Sequence, residues 1–298
     1  MRMPRRSLLA MAGASLAPPA RAQPGWPDRP VRLITTVPPG GAPDLVARIL
    51  AARLQERLGQ PFPVENRSGS NGALAAEAAA RARPDGHTLL FAQDTVITVN
   101  PWLHESLAVN PLTELAPVAA FASNAFILSV HPSVRTRTFA EFLDVARGRD
   151  PLPYASGGVG SQHQLAMEML ARRAGLNVLH VPFRGGTPAA NATMAGDTLA
   201  MFSGTSSAPL IQQGRLRALA VTGPRRSPLF PDLPTIGETF PGYEVVIWLG
   251  VFAPVGVPEP IVARLREEVA AAGQDPAVRQ RLDAAGGLEP MHLDLDGF

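Results

Sequence analysis

The chain has no cysteine. That excludes disulfides, thiolate metal sites and a cysteine nucleophile. It has no lysine either, so every basic side chain except histidine is arginine. We read this as a compositional bias of the gene, not as a site. Six histidines stand at 87, 104, 131, 163, 180 and 292, and no two share metal-ligand spacing. A metal centre is therefore not expected. Nucleotide signatures are missing. Gly158-Val159-Gly160 has no glycine three places on, which excludes a GxGxxG turn, and no GK[ST] occurs. Ser161 lacks the flanking glycines of a nucleophile elbow. Beyond the N-terminus no apolar run approaches the roughly 20 residues a membrane span needs.

The 298 residues, 46% of them hydrophobic, suffice for two domains with their own cores. The net charge of +2 misleads, because residues 1–22 carry Arg2, Arg5, Arg6 and Arg21 and no acid. Without those four, 23 basic side chains face 25 acidic ones. Nucleic acid is not an expected partner. Arg5-Arg6, the apolar stretch Leu8 to Ala17 and the small-x-small pattern Ala20-Arg21-Ala22 form an export signal, either twin-arginine or an ordinary secretory leader. The mature protein is expected to begin near Gln23, outside the cytoplasmic membrane.

The chain is organised around Val31 to Gly59. An apolar strand, Val31 to Val37, stops at Pro38-Pro39-Gly40-Gly41. A helix with Val46, Leu50, Leu54 and Leu58 on one face follows, closed by Gly59. Strand, glycine turn and helix aim unpaired backbone N–H groups at an anion. The arrangement recurs with strand Leu152 to Ala155, turn Ser156-Gly157-Gly158-Val159-Gly160-Ser161, helix Gln164 to Ala174 and Gly175. Two such turns suggest a cleft with one lip on each unit, although each could be a plain βα connection.

Around the first unit lie strand Phe62 to Glu65, a turn-rich loop Asn66 to Gly72, helix Ala73 to Ala82 and strand Thr88 to Ala92. This βαβαβ order is that of a doubly wound sheet, and Gln93-Asp94-Thr95 lies at its ligand-binding edge. Phe121 to Val130 is apolar and is read as the first crossover. Strands at Val178 to Val181, Leu199 to Phe202 and Leu216 to Thr222 follow, with helices at Phe139 to Ala146 and Ser206 to Gln213. Thr187-Pro188 after the glycine loop at 182–186 reads as an N-cap and first helical proline. Val245 to Ala253 returns the chain, and helices Glu259 to Ala272 and Pro276 to Ala284 close it.

Among polar candidates, Asp44 in its helix's first turn is ordinarily a cap, or else it orients a water or a ligand ammonium. His163 opens a helix whose dipole disfavours the imidazolium, so it is read as a neutral donor. Arg184 is a carboxylate partner or a solvated cation. Ser161 and His163 stand at i and i+2 of a helix start, which points them apart and argues against acyl transfer.

The stretches WPDRPVRLITTVPPGGAPDLVAR, GQPFPVENRSGSNG, ARPDGHTLLFA, YASGGVGSQHQLAMEML, VLHVPFRGGTPA, GRLRALAVTGPRRSPLFPDLPTIGE and GYEVVIWLGVFAP together resemble the Bug-type periplasmic solute-binding receptors of tripartite tricarboxylate transporters. They span nearly the whole mature chain in order. The resemblance implies an α/β flytrap of two lobes, each a mostly parallel sheet flanked by helices. Lobe 1 is expected over 23–122 plus 249–298 and lobe 2 over 123–248, after the signal peptide at 1–22. It implies a small di- or tricarboxylate or related organic anion held by backbone amides, hydroxyls and waters. It implies no cofactor, no metal and no catalytic residue. By position, the first lip is Pro39, Gly40, Gly41 and Asp44, with Asp94 and Thr95 nearby. The second is Ser156, Gly157, Gly160, Ser161 and His163, with Arg184, Gly185 and Thr187 in the next loop.

Two departures stand out. Ser203 replaces the aspartate many such receptors carry after the Met201-Phe202 strand, which argues against an amino-acid ligand. The chain also ends at Phe298, where the family continues into a further helix, so lobe 1 is expected to lack that element. The function read from the sequence is a monomeric periplasmic receptor delivering a carboxylate to membrane transporter subunits. The alternatives are a receptor presenting ligand to a sensor kinase and a periplasmic hydrolase using Ser161.

Overall fold

The computed structural model describes residues 25–103, 106–148, 150–285 and 288–291. The export signal at 1–22, His104 and His292 lie outside the described residues. Among the described residues eleven strands run in chain order: β1 (Arg32–Thr35), β2 (Val64–Asn66), β3 (Thr88–Gln93), β4 (Leu115–Ala125), β5 (Ile127–Val130), β6 (Leu152–Ser156), β7 (Val178–Pro182), β8 (Ala200–Ser203), β9 (Arg217–Val221), β10 (Val246–Pro254) and β11 (Glu289–Pro290). They form two sheets, one ordered β11-β4-β10-β3-β1-β2 and one ordered β7-β6-β8-β5-β9.

Both sheets are mixed, and in each most strands point one way, four of the six in the first and four of the five in the second. β2, β1 and β3 run parallel, as do β7, β6 and β8. In the first sheet β10 runs antiparallel to both its neighbours, β3 and β4, and in the second β5 runs antiparallel to both its neighbours, β8 and β9. β5 and β10 are the strands laid down directly after the chain passes from one sheet to the other, and each enters its new sheet from the opposite end. The apolar stretch Phe121 to Val130, read as the first crossover, does pass from the first sheet to the second. It is the end of β4, then Phe126, then β5. Thr222 ties the two passages together. Its Oγ1 accepts from the Phe126 N–H at 2.8 Å and donates to the Val245 carbonyl at 2.6 Å.

The continuous apolar runs of β1 and β3 are buried on both faces. Leu33, Leu89 and Phe91 join Leu50, Leu54, Leu265 and Leu282 in one cluster. Ile34, Leu90 and Ala92 face the alanine-rich helix Ala73–Ala80 on the other side. The second sheet has its own core, with Phe126, Phe142, Tyr154, Leu170 and Phe202. Helix Ala42–Leu58 buries Val46, Leu50 and Leu54 completely and ends at Gly59 in the left-handed region, φ 71°. Helix Gln162–Ala174 starts two residues earlier than expected, because the Ser161 hydroxyl caps it. Helix Gly186–Ala195 is capped at Gly185, so Thr187 lies inside its first turn and is not the cap. The expected helix from Ser206 to Gln213 is a 3-10 turn, Thr205–Ser207, followed by a short helix, Ala208–Gln212. Among the described residues no helix is long and apolar enough to cross a membrane.

Candidate functional site

Two adjoining cavities lie where the two sheets' loops face each other. The inner one holds about 60 Å³ and the outer about 200 Å³. Val37, Pro38, Gln93, His163 and Gly186 belong to both walls. Ile247, Leu249 and Phe126 add apolar surface to the inner chamber.

Three helices begin at that chamber: Ala42–Leu58, Gln162–Ala174 and Gly186–Ala195. Two of them start at glycine, Gly41 and Gly185, with no side chain capping them. Their first N–H groups therefore stay available, and each terminus carries roughly half a positive charge. The inner wall contains no arginine, and its one titratable side chain is His163. Burial lowers the His163 pKa to about 4, so the ring is neutral at physiological pH. Its buried Nδ1 has no hydrogen-bond partner, and its ring lies 4.5 Å from that of Phe126. Such a chamber can hold a small anion through backbone donors, with a neutral ring and apolar surface beside it. A cavity of about 380 Å³ behind the β4 and β10 passages is roomier, but no helix begins in its wall.

The expected site residues separate into three groups. Gly41 and Thr187 line the inner chamber, Gly157, Ser161, Arg184 and Gly185 the outer one, and His163 both. Arg184 is exposed and is the one cationic side chain in either wall. Pro39 and Gly40 are exposed on the turn and reach neither cavity. The others are buried behind the walls. The Ser156 hydroxyl lies 2.6 Å from His180 Nε2 and accepts from the Gly158 N–H at 3.1 Å, which fixes the glycine turn. Thr95 Oγ1 accepts from Gln93 Nε2 at 3.1 Å. Ser203 is fully buried, with its hydroxyl on Ser129 at 2.8 Å and on the Ile127 carbonyl at 3.1 Å.

Asp44 does not cap its helix through the side chain, which corrects the ordinary reading of that position. It braces the proline–glycine turn from behind. Its carboxylate accepts from the Gly40 N–H at 2.9 Å, from Asn66 Nδ2 at 2.7 Å and from Arg48 at 3.0 and 3.1 Å. Burial alone would raise its pKa, but the bonds from Arg48, Gly40 and Asn66 outweigh that and hold it below the usual carboxylate value. We expect Asp44→Ala to lower stability by about 1–3 kcal/mol in urea unfolding, since it strands several donors. An unchanged midpoint would contradict the bracing role.

The two sides of the cleft touch. Asp94, at the end of β3, accepts a hydrogen bond from Gln162 Nε2, at the start of the opposite helix. Asn71 Nδ2 donates to the Gly160 carbonyl at 3.1 Å. At Gly185 a Cβ would stand 3.1 Å from Pro38 Cδ. These contacts define a closed cleft. Asp94 is raised to about 7, first by burial, with the bonds from Thr95 N–H and Gln162 pulling it part of the way back.

Reading the sequence for glycine turns missed Asn71, Asn124, Phe126, Gln162 and Ser207, which line or bridge the cleft. Asn71 sits in a segment noted for its turns, and Gln162 beside a flagged histidine. Nothing local marks Phe126, whose place depends on how the sheets connect.

The family model of the tripartite tricarboxylate transporter family receptor matches residues 46–296. The chain belongs to that family. A relative from Pseudomonas sp. strain P51, encoded in the tcbD-tcbE intergenic region, is 38% identical over 302 residues, covering 98% of this chain and 90% of the relative. R. palustris Rpa4515, solved with adipate, is 34% identical with a TM-score of 0.86, covering 89% of both chains. MatC from Rhodopseudomonas palustris, solved with bound malate, is 32% identical with a TM-score of 0.79, covering 89% of this chain and 90% of MatC. This receptor is thus an α/β binding protein of the same fold, and its relatives are binding proteins.

Proposed function

We propose that this receptor captures a small carboxylate between its lobes in the periplasm and delivers it to the membrane subunits of a tripartite transporter. The observation that carries the reading is the convergence of three helix N-termini on one chamber whose only titratable wall residue is a neutral histidine. A carboxylate there receives N–H bonds and about one compensating charge without needing a cation. The adipate and malate held by the two R. palustris relatives agree in chemical class.

The ligand-facing groups on this reading are Gly41, Gly157, Ser161, His163, Arg184, Gly185 and Thr187, with Asp44 and Ser156 as supports. The lobes are 23–122 plus 249–298 and 123–248, and the mature chain is a monomer starting near Gln23. Transport is favoured over presentation to a sensor kinase because the family match is to transporter receptors. Hydrolysis by Ser161 is disfavoured. Its hydroxyl donates to the Gly158 carbonyl at 2.6 Å, leaving its proton no path to His163.

The test is thermal unfolding of residues 23–298 against di- and tricarboxylates, aromatic acids and amino acids, with simple amines and neutral sugars beside them. An acid at 100 times its dissociation constant should add about 2.7 kcal/mol, a rise of several degrees. A midpoint that no acid moves, while an amine or neutral sugar does, would overturn the carboxylate reading.

A further inference from the structure

The segment at 69–72 has an unusual backbone. Four consecutive residues have positive φ: Gly69 at 133°, Ser70 at 47°, Asn71 at 49° and Gly72 at 88°. Ser70 and Asn71 are the only non-glycine residues in that region among the described residues. Side chains there cost conformational energy, and such positions gather at functional sites, where the surroundings hold them in place. Asparagine is among the few residues that tolerate the left-handed region.

The surroundings here do hold Asn71. Its Nδ2 donates to Asn100 Oδ1 at 2.9 Å, and Asn100 Nδ2 donates back to the Asn71 carbonyl at 3.1 Å. This reciprocal pair lies entirely on the first sheet's side. It fixes the amide's orientation and leaves its second N–H aimed across the cleft, where it meets the Gly160 carbonyl at 3.1 Å. Gly160 is held in turn. Its N–H donates to Gln164 Oε1 at 2.8 Å, inside the first turn of the opposing helix. Donor and acceptor are thus each pinned by their own lobe, and they meet only when the cleft is shut.

We infer that Asn71 is a positioning residue for ligand capture: a latch that closes the two lobes through the Gly160 carbonyl, independently of the ligand. The inference rests on the receptor reading. A latch of this kind gives the unliganded protein a standing closed population, so ligand binding draws on a cleft already assembled part of the time. It also slows release, because opening breaks a bond the ligand does not make. The strained turn keeps the amide pre-aimed, so little side-chain freedom is lost on closure.

The absence of cysteine allows clean spin labelling. Leu112 beside the first sheet and Leu179 on the second are both about half exposed, at 51% and 54%. With Leu112→Cys and Leu179→Cys labelled, electron–electron distances in the ligand-free protein should show open and closed populations. Asn71→Gly accepts the same φ and removes the side-chain amide. It should shift the closed-to-open ratio about fivefold toward open, the loss of the one inter-lobe hydrogen bond, and lower the thermal midpoint as well, because it also strands the buried Asn100 Oδ1 within the first lobe. Asn71→Asp keeps left-handed tolerance but sets a carboxylate against the Gly160 carbonyl, and should open the cleft at least as far. A distance distribution in Asn71→Gly identical to wild type, or an Asn71→Asp protein as closed as wild type, would overturn the latch. No ligand enters this measurement, so its failure leaves the acid panel, and the receptor reading, to stand or fall separately.

Discussion

Replacing Gly185 by valine should weaken carboxylate binding at least a hundredfold while leaving a cooperatively folded protein. Gly185 has φ 113° and caps helix Gly186–Ala195 at the cleft. A Cβ there stands 3.1 Å from Pro38 Cδ, on the turn after β1 in the opposite lobe. The proline ring cannot rotate away, and valine's two methyl groups enlarge the overlap. Two effects separate cleanly. The backbone conformation is strained for any side chain, costing about 1–3 kcal/mol in open and closed forms alike. The clash with Pro38 exists only when the cleft shuts, so it falls on ligand affinity. Calorimetric titration with the tightest acid of the panel reads the second effect, and the thermal midpoint reads the first. Trimming the ring with Pro38→Ala should restore part of the affinity to Gly185→Val but none of the midpoint. Wild-type affinity in Gly185→Val would mean the cleft need not close on its ligand.

Asp94→Asn should stabilise the protein at pH 8 and leave it unchanged near pH 4. Asp94 is raised from 3.8 to about 7 by burial. The folded chain holds this proton where the unfolded chain has lost it. The contribution is therefore complete below pH 3.8 and is lost as the pH rises to about 7. Three pKa units correspond to about 4 kcal/mol. His163 works in the opposite direction. Its pKa falls from 6.5 to about 4, so its contribution is complete above pH 6.5 and is lost on acidification to about 4. Burial lowers His180 in the same sense. In wild type these slopes oppose each other between pH 4 and 6.5, and stability should vary little there. Asparagine removes one of the two. The variant-minus-wild-type midpoint should be several degrees at pH 8 and shrink toward zero at pH 4. A difference independent of pH would show that Asp94 is not held near 7.

The strand–turn–helix units were legible because their signals are local. Apolar runs in β1 and β3, the spacing of Val46, Leu50 and Leu54, and closing glycines at 59 and 175 are all short-range features. From them the sequence points to two glycine turns facing one cleft, and Gly41, Ser161 and His163 do lie on its walls. What the sequence does not reveal depends on pairing between distant segments. The mixed order of the sheets follows from β10 returning beside β4 more than a hundred residues later. Asp44 reads as a cap by position, yet its carboxylate turns back to the Gly40 N–H, and its partner Asn66 reaches it only through the βαβ packing. Gln162 and Asn71 carry no motif, and their roles exist only across the closed cleft. Ser203 stood out by family pattern, but its hydroxyl is spent on β5 and does not face a cavity.

The most direct test of the central claim is a crystal structure of residues 23–298 with the tightest-binding acid from the panel. The account expects one carboxylate in the inner chamber, within hydrogen-bond reach of backbone N–H groups at Ala42, His163 or Gly186, and no arginine contacting that end. An acid with no carboxylate in the inner chamber, one whose carboxylate there is held by a cationic side chain, or one seated in the cavity behind the β4 and β10 passages, would contradict it.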